Sequence, residues 1–393
     1  MPTLTVNKTS DNFLKLSDPK LLILLASGSL TTMAGGIVAP VLPDIVQQLQ
    51  LDPGLAANLV SFHCLTLAIF SPLLGILADR IGRVKVLVAS LLCYAVFGTA
   101  GAFMSSFLPL LVTRGLIGVA SGGIAAASLG ILGSNYEGEA RSVALGYATS
   151  TLTITGILFP LLGGWVGSSH WQYAFYLYAL GIPIAGLAMT FLQEDQTAKS
   201  TEKNYKLSQI LGQRQTLWLL LTLVLVSVAM YSVVIYAPLY LKATIAAGAV
   251  LNGVVLASRA IGAAIVSAFG SKWLAQKFGL PNAIAFGCTL MAITLITIPL
   301  LHELIPIILT AIAFGVGFGI VLPNVYSALA NLATPNLRSS VLALGTGAGF
   351  LGQFLSPIIL RPMLNYGGLE TVFYGAAIVA IMAGVLMLLS QDS

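Results

Sequence analysis

An all-α polytopic membrane protein, with twelve transmembrane helices in two pseudo-symmetric six-helix bundles, is the fold class this sequence predicts. Three observations carry that reading. Hydrophobic residues make up 57% of the 393 positions and charged residues only 8%, against about 25% charged in a soluble domain. A bilayer-crossing helix takes about 20 apolar residues, so roughly twelve of them with short connections use up the chain. The second half also repeats the first at a nearly constant offset. A water-soluble domain is excluded, and so is disorder, which needs low hydrophobicity and high charge.

The elements follow in order. A polar tail, Met1 to Lys20, precedes an apolar run too long for a signal-peptide core, which reads as a retained first helix at 20–45. Charged or Pro/Gly-rich breaks then bound runs at 56–79, 84–105, 107–133, 141–167 and 172–192. These close an N-terminal six-helix bundle over 1–192. The polar break 193–213, with Glu194, Asp195, Lys199, Glu202, Lys203 and Lys206, reads as a cytoplasmic linker. The C-terminal bundle, 214–393, has runs at 214–240, 247–271, 280–301, 304–330, 338–362 and 368–390. Each run must be helical, because backbone in lipid has to satisfy its own hydrogen bonds.

Basic residues set the orientation. With the N-terminus in the cytoplasm, 14 of the 18 Lys and Arg fall on the cytoplasmic side, and only Lys242 and Arg361 fall outside. Arg114 and Arg259 lie within helices. This bias places both termini in the cytoplasm. It also explains the excess of 18 basic over 13 acidic residues, which is spread along the chain and does not point to nucleic acid.

A shift of 197 places Gly82 on Gly279, Gly118 on Gly315, Gly122 on Gly319, Arg141 on Arg338 and Pro160 on Pro357. A shift of 198 places Pro40 on Pro238, Phe175 on Phe373 and Gly186 on Gly384. Equal halves of parallel topology imply a duplication, with a two-fold axis along the membrane normal and a path between the halves at mid-bilayer.

Three strings carry the functional signal. After the second helix comes Gly75-Ile-Leu-Ala-Asp79-Arg80-Ile-Gly82-Arg83-Val-Lys85, with Lys272-Trp-Leu-Ala-Gln276-Lys277-Phe-Gly279 as its altered copy. The fourth helix holds Arg114-Gly-Leu-Ile-Gly118-Val-Ala-Ser-Gly122-Gly123, and the fifth holds Gly156-Ile-Leu-Phe-Pro160-Leu-Leu-Gly163-Gly164. The first string resembles the signature loop of the major facilitator superfamily. The second resembles that superfamily's fourth-helix motif, and the third the motif of its exporters and antiporters, with Phe159 where a glycine usually stands. Trp171-Gln-Tyr-Ala-Phe175 resembles the start of its sixth helix.

The resemblance covers the chain and is best to the twelve-helix drug:proton antiporter type of bacterial inner membranes. It implies proton-coupled efflux of small organic compounds by alternating access, as in multidrug resistance. The path would run along helices 1, 4, 7 and 10, which here offer Thr31, Thr32, Met33, Arg114, Tyr231, Tyr236, Phe314, Asn324 and Tyr326. Gly75, Asp79, Arg80, Gly82 and Arg83 would form a gating loop. Gly156, Pro160, Gly163 and Gly164 would allow close packing and a bend.

One departure matters. Exporters of this type often carry an acid in the first helix before a proline, but Thr31 to Pro40 has none, and no acid lies in the middle of any run. The ionisable groups at depth are His63, Arg114 and Arg259. Such groups mark function by default. Two readings stand for each arginine: a structural group bonded to carbonyls, or a cavity charge. His63 reads as a proton carrier or as a histidine bonded between helices. If all three face the path, it is electropositive and suits an anionic or neutral polar compound.

No enzyme chemistry is expected. Cys64, Cys93 and Cys288 lie in apolar runs without metal-ligand spacing, and His63, His170 and His302 are far apart. No phosphate-cradling loop is present, so the expected energy source is a proton gradient, with no cofactor and no metal. The expected partners are a small-molecule substrate and the lipid bilayer, and the expected unit is a monomer. Proton-coupled uptake of an organic anion or sugar is the alternative. A non-transporting receptor or scaffold is the reading outside the class, and the repeat and signature loop oppose it.

Overall fold

The structure, a computed structural model, describes residues 18–136, 138–194, 213–333 and 337–389. Every regular element among them is a helix. The apolar helices are α1 (Pro19–Gln48), α2 (Pro53–Ile81), α3 (Arg83–Phe103), α4 (Phe107–Asn135), α5 (Gly138–Val166) and α6 (Gln172–Phe191). After the linker come α7 (Arg214–Ile245), α8 (Ala249–Phe269), α9 (Leu280–Leu300) and α10 (Leu304–Leu332). Most of the sequence-predicted linker, 195–212, lies outside the described residues.

The last apolar stretch, Ser340–Leu389, is 50 residues long, and one crossing takes about 20. Its backbone leaves helical geometry at Gly367 and Gly368, the latter at φ +74°, which costs glycine little. The stretch therefore makes two crossings, α11 (338–366) and α12 (369–389). The chain is an all-α polytopic membrane protein of twelve spans.

Local chemistry sets the ends. Asp18 and Asp52 each precede a proline and accept a backbone N–H, from Lys20 and Leu55 respectively, both at 3.0 Å. The Tyr136 hydroxyl donates to Asp18 Oδ2 at 2.8 Å and ties the end of α4 to the start of α1. Burial, and then this bond to a carboxylate, raise the Tyr136 pKa above the ordinary tyrosine value. The sequence predicts one unbroken first helix, and here the structure differs. A 3-10 turn at Ala39–Val41 separates Pro19–Gly36 from a short helix, Leu42–Gln48. Pro40 and Pro43 lack the N–H that would continue the ladder.

The duplication is visible as geometry. Gly82 (φ +114°) separates α2 from α3, and Gly279 (φ +83°) stands before α9 at the matching point. Gly118 of α4 presses on the backbone of His63 in α2, and Gly315 of α10 presses on the backbone of Arg259 in α8. Between the halves α2 packs on α11, and α5 packs on α8. The bundle end that carries Arg80, Arg83 and Lys85 is called the basic end here, and the opposite end the far end. The described hydrogen bonds, ion pair and glycine contacts that join the halves all lie between mid-span and the far end. Toward the basic end α5 is largely exposed.

Candidate functional site

At mid-span a polar cluster joins four helices from both halves. The Tyr231 hydroxyl of α7 donates to the Val60 carbonyl of α2 at 3.1 Å. The Cys64 thiol of α2 lies 3.2 Å from Gln353 Oε1 of α11 and 3.6 Å from Tyr231 Oη. His63 Nε2 is 3.5 Å from Cys64 Sγ. Gly35 of α1 makes room: a Cβ there would stand 2.8 Å from Tyr231 Oη and 3.1 Å from His63 Cε1. His63 is 3% exposed. Its Nδ1 has no hydrogen bond of proper geometry, although the Val60 carbonyl one turn back is near. The sequence reading selected His63 and Tyr231 but missed Cys64 and Gln353. A lone cysteine and a glutamine in apolar runs carry no signal until the halves are brought together.

The two arginines within the spans part company. Arg114 is 0% exposed. Its Nε donates to the Leu59 carbonyl (2.8 Å), its Nη1 to the Tyr178 hydroxyl (2.6 Å), and its Nη2 to the Ala34 carbonyl. The Tyr178 hydroxyl donates in turn to Ala34 O at 2.8 Å. Arg114 thus stitches α4 to α1, α2 and α6, with its whole fork directed at oxygen acceptors. A path lined by both arginines is not what the structure contains: Arg114 is turned into the N-terminal bundle, where two backbone carbonyls and a tyrosine hydroxyl accept from its three nitrogens. Arg259, on α8 beside Tyr231, forms no hydrogen bond or ion pair with any described residue, and its Nε is buried.

The far end is closed by direct contacts. Lys242 Nζ lies 3.3 Å from Asp44 Oδ1, and Asn252 Nδ2 donates to the Pro40 carbonyl at 3.1 Å. The helix-five residues sit in this closure. A Cβ on Gly163 would be 2.5 Å from Ile37 Cα in α1, and one on Gly164 would be 3.1 Å from the Ala249 carbonyl carbon in α8. Gly253 of α8 lies in the same way on the Pro160 carbonyl. Phe159 fits where a glycine was expected because Gly36 faces it: a Cβ on Gly36 would be 3.3 Å from Phe159 Cβ. Gly156 faces open space.

At the basic end the loop is held within the first half. Asp79 Oδ1 pairs with Arg83 at 2.8 Å (Nη2) and accepts from its Nε at 2.9 Å. Arg83 Nη1 donates to Gly130 O at 2.8 Å. Glu194, which the sequence reading assigned only to the linker, accepts from Val84 N at 3.3 Å and fills the space beside Gly82. A carboxylate at the start of α3 meets the positive end of that helix. Gly75 faces Ala126 of α4, and Arg80 is exposed.

The remaining path residues divide. Thr31 borders a narrow cavity of about 70 Å³ with Gly28, Ser29 and Ser128. The Thr32 hydroxyl is 3.0 Å from that of Thr155 in α5. The Tyr326 hydroxyl donates to Thr346 at 3.4 Å. Met33, Tyr236 and Phe314 are enclosed in helix packing instead of lining an open surface. Asn324 donates to the Ser271 carbonyl at 3.2 Å and to Ile320 O at 2.8 Å, which fixes α10 to the short helix Ser271–Phe278.

This architecture has relatives. The sequence model of the Major Facilitator Superfamily matches residues 24–357 and 247–393. The bacillibactin exporter of Bacillus subtilis is 24% identical over 394 residues, covering 95% of this chain and 97% of that protein. The multidrug export protein EmrB of Escherichia coli is 30% identical over 132 residues, 33% of this chain and 26% of EmrB. Among solved structures, a bacterial homologue of the human lysosomal transporter Spinster, inward-facing and occupied, aligns with a TM-score of 0.76 at 16% identity, over 95% of this chain and 94% of that one. The D-xylose-proton symporter aligns with a TM-score of 0.74 at 15% identity, over 94% of this chain and 96% of that one. The chain belongs to the Major Facilitator Superfamily, a family of membrane transporters and not of enzymes.

Proposed function

We propose that this transporter exports small organic compounds from the cytoplasm across the inner membrane, by alternating access and in exchange for protons. The basic end is then cytoplasmic, both termini lie inside, and the unit is a monomer that needs no cofactor beyond the proton gradient. The carrying observation is the cross-half cluster of His63, Cys64, Tyr231 and Gln353. It holds a titratable imidazole where the halves meet, under a closed far end and facing a basic end at which no described hydrogen bond, ion pair or glycine contact joins the halves. Rocking the halves about mid-span has to break Tyr231–Val60 and Cys64–Gln353, which exposes His63 to the far side. Protonation of His63 in one state and its release in the other would supply coupling. The full-length likeness to an exporter supports the direction.

The test uses everted vesicles containing the protein and a panel of anionic, neutral and cationic compounds. Transported compounds should dissipate an imposed pH gradient. ATP should have no effect, and His63→Gln should uncouple proton movement from substrate movement. Accumulation that persists without any ion gradient, or that requires ATP, refutes the proposal. Gradient-driven movement only out of the lumen of the everted vesicles, the direction of uptake in the cell, would replace export by symport.

A further inference from the structure

The two intramembrane arginines are chemically alike and structurally opposite. Arg114 has all three of its guanidinium nitrogens on oxygen acceptors. Arg259 has none of them on any described residue. Its backbone is fixed against Gly315 of α10. Its residue is half-buried, and its Nε is buried without a partner. It lies six residues along α8 from Gly253, where α8 meets Pro160 of the other half, and so just on the basic-end side of the α5–α8 closure. No described carboxylate lies at mid-span. Tyr231, whose hydroxyl is already directed at Val60 O, is the ionisable group near enough to act on it electrostatically.

A guanidinium cannot shed its proton to escape this environment. A cation at membrane depth costs several kcal/mol unless an anion or water meets it. Among the described residues none supplies an anion at that depth. We infer that Arg259 is the anion-holding subsite of the transport path, and that the substrate class is a small organic anion: one carboxylate on an apolar body. This rests on the transport reading above and adds the ligand's charge to it. The planar fork takes a carboxylate through two parallel N–H···O bonds. The enclosing spans are apolar, so the remainder of the ligand is apolar as well. An electropositive site built from both arginines is replaced by a single fork without described partners, because each guanidinium nitrogen of Arg114 is already engaged.

The experiment measures equilibrium binding to the purified protein in nanodiscs, with salicylate, its neutral analogue salicylamide and the cation benzylamine as probes. Wild type should bind salicylate about tenfold or more tightly than either of the others, the size expected of a charge-assisted pair. Arg259→Gln should abolish the preference, and Arg259→Lys, which keeps the charge but loses the fork, should retain only part of it. Arg259→Met serves as a second variant. It removes no existing bond, so it should fold at least as stably as wild type while losing salicylate. Equal binding of the three probes by wild type, or an unchanged preference in Arg259→Gln and Arg259→Met, overturns the inference. Complete displacement of salicylate by chloride, but not by benzoate, also overturns it, since the site would then be one for inorganic anions. Proton-driven flux in proteoliposomes is read separately. Flux of benzylamine alone leaves the transporter reading intact and removes this subsite. Selective salicylate binding with no gradient-driven flux of any probe strikes the transporter reading and leaves the subsite.

Discussion

Replacing Arg114 should rank variants in an order that side-chain similarity alone would not suggest. Three charge-assisted hydrogen bonds converge on a fully buried guanidinium. Lysine keeps the charge, but its compact ammonium cannot span carbonyls on α1 and α2 and a hydroxyl on α6 together. Losing two such bonds at about 1.5–3 kcal/mol each gives a destabilisation of about 3–6 kcal/mol. Methionine removes the bonds and the buried charge together. Ala34 O keeps the Tyr178 hydroxyl, and Leu59 O lies inside a helix with its own ladder partner. The loss for Arg114→Met should therefore be smaller, about 1–2 kcal/mol, because a buried charge stripped of most of its partners is worse than none. Thermal unfolding of the purified variants in one detergent gives the order wild type, then Met, then Lys. A lysine variant as stable as wild type, or a methionine variant below lysine, would refute the reasoning that the fork geometry, and not the charge, holds these four helices.

Three further outcomes are expected. Gly118→Val and Gly315→Val should each wedge a helix pair apart at a backbone contact, costing about 1–3 kcal/mol by overpacking, while Gly156→Ala should be silent; yields of monodisperse protein and unfolding temperatures check this. Asp44→Asn removes a half-exposed far-end pair worth at most about 1 kcal/mol, so the closed-to-open ratio should fall by no more than about fivefold. In protein with Cys93 and Cys288 changed to serine, maleimide labelling of Cys64 should speed up accordingly, and an unchanged rate would count against the far-end closure. Asp79→Asn should release Arg83 from its two contacts and lower flux without lowering membrane levels, whereas Gln276→Ala should change flux little; equal effects of the two in vesicle assays would contradict the asymmetry between the loop copies.

Much of the architecture was legible in the sequence because lipid leaves few options. A run of apolar residues in a bilayer has to be a helix, so composition and length led to twelve crossings. Duplication left glycines at equal offsets. Gly82 and Gly279 both need positive φ, and Gly118 and Gly315 both press on a neighbouring backbone, so their spacing carried real geometric information. The break inside the first span was legible only in hindsight. Pro40 and Pro43 announce it, but an unbroken apolar run hides where the helix stops.

What the tertiary structure decided is where each polar side chain points. Every face of these helices is apolar, so periodicity gives no orientation. Arg114 is satisfied by the carbonyls of Ala34 and Leu59, groups that every residue possesses and that leave no mark in a sequence. Arg259, of the same residue type at similar depth, has no such partner among the described residues. The Asp44–Lys242 pair and the Cys64–Gln353 contact join positions 198 and 289 residues apart, and only the packing of two halves brings them within reach. The sequence determined that charges would sit within the spans. The arrangement of the helices determined which guanidinium is met by hydrogen-bond acceptors and which meets none among the described residues.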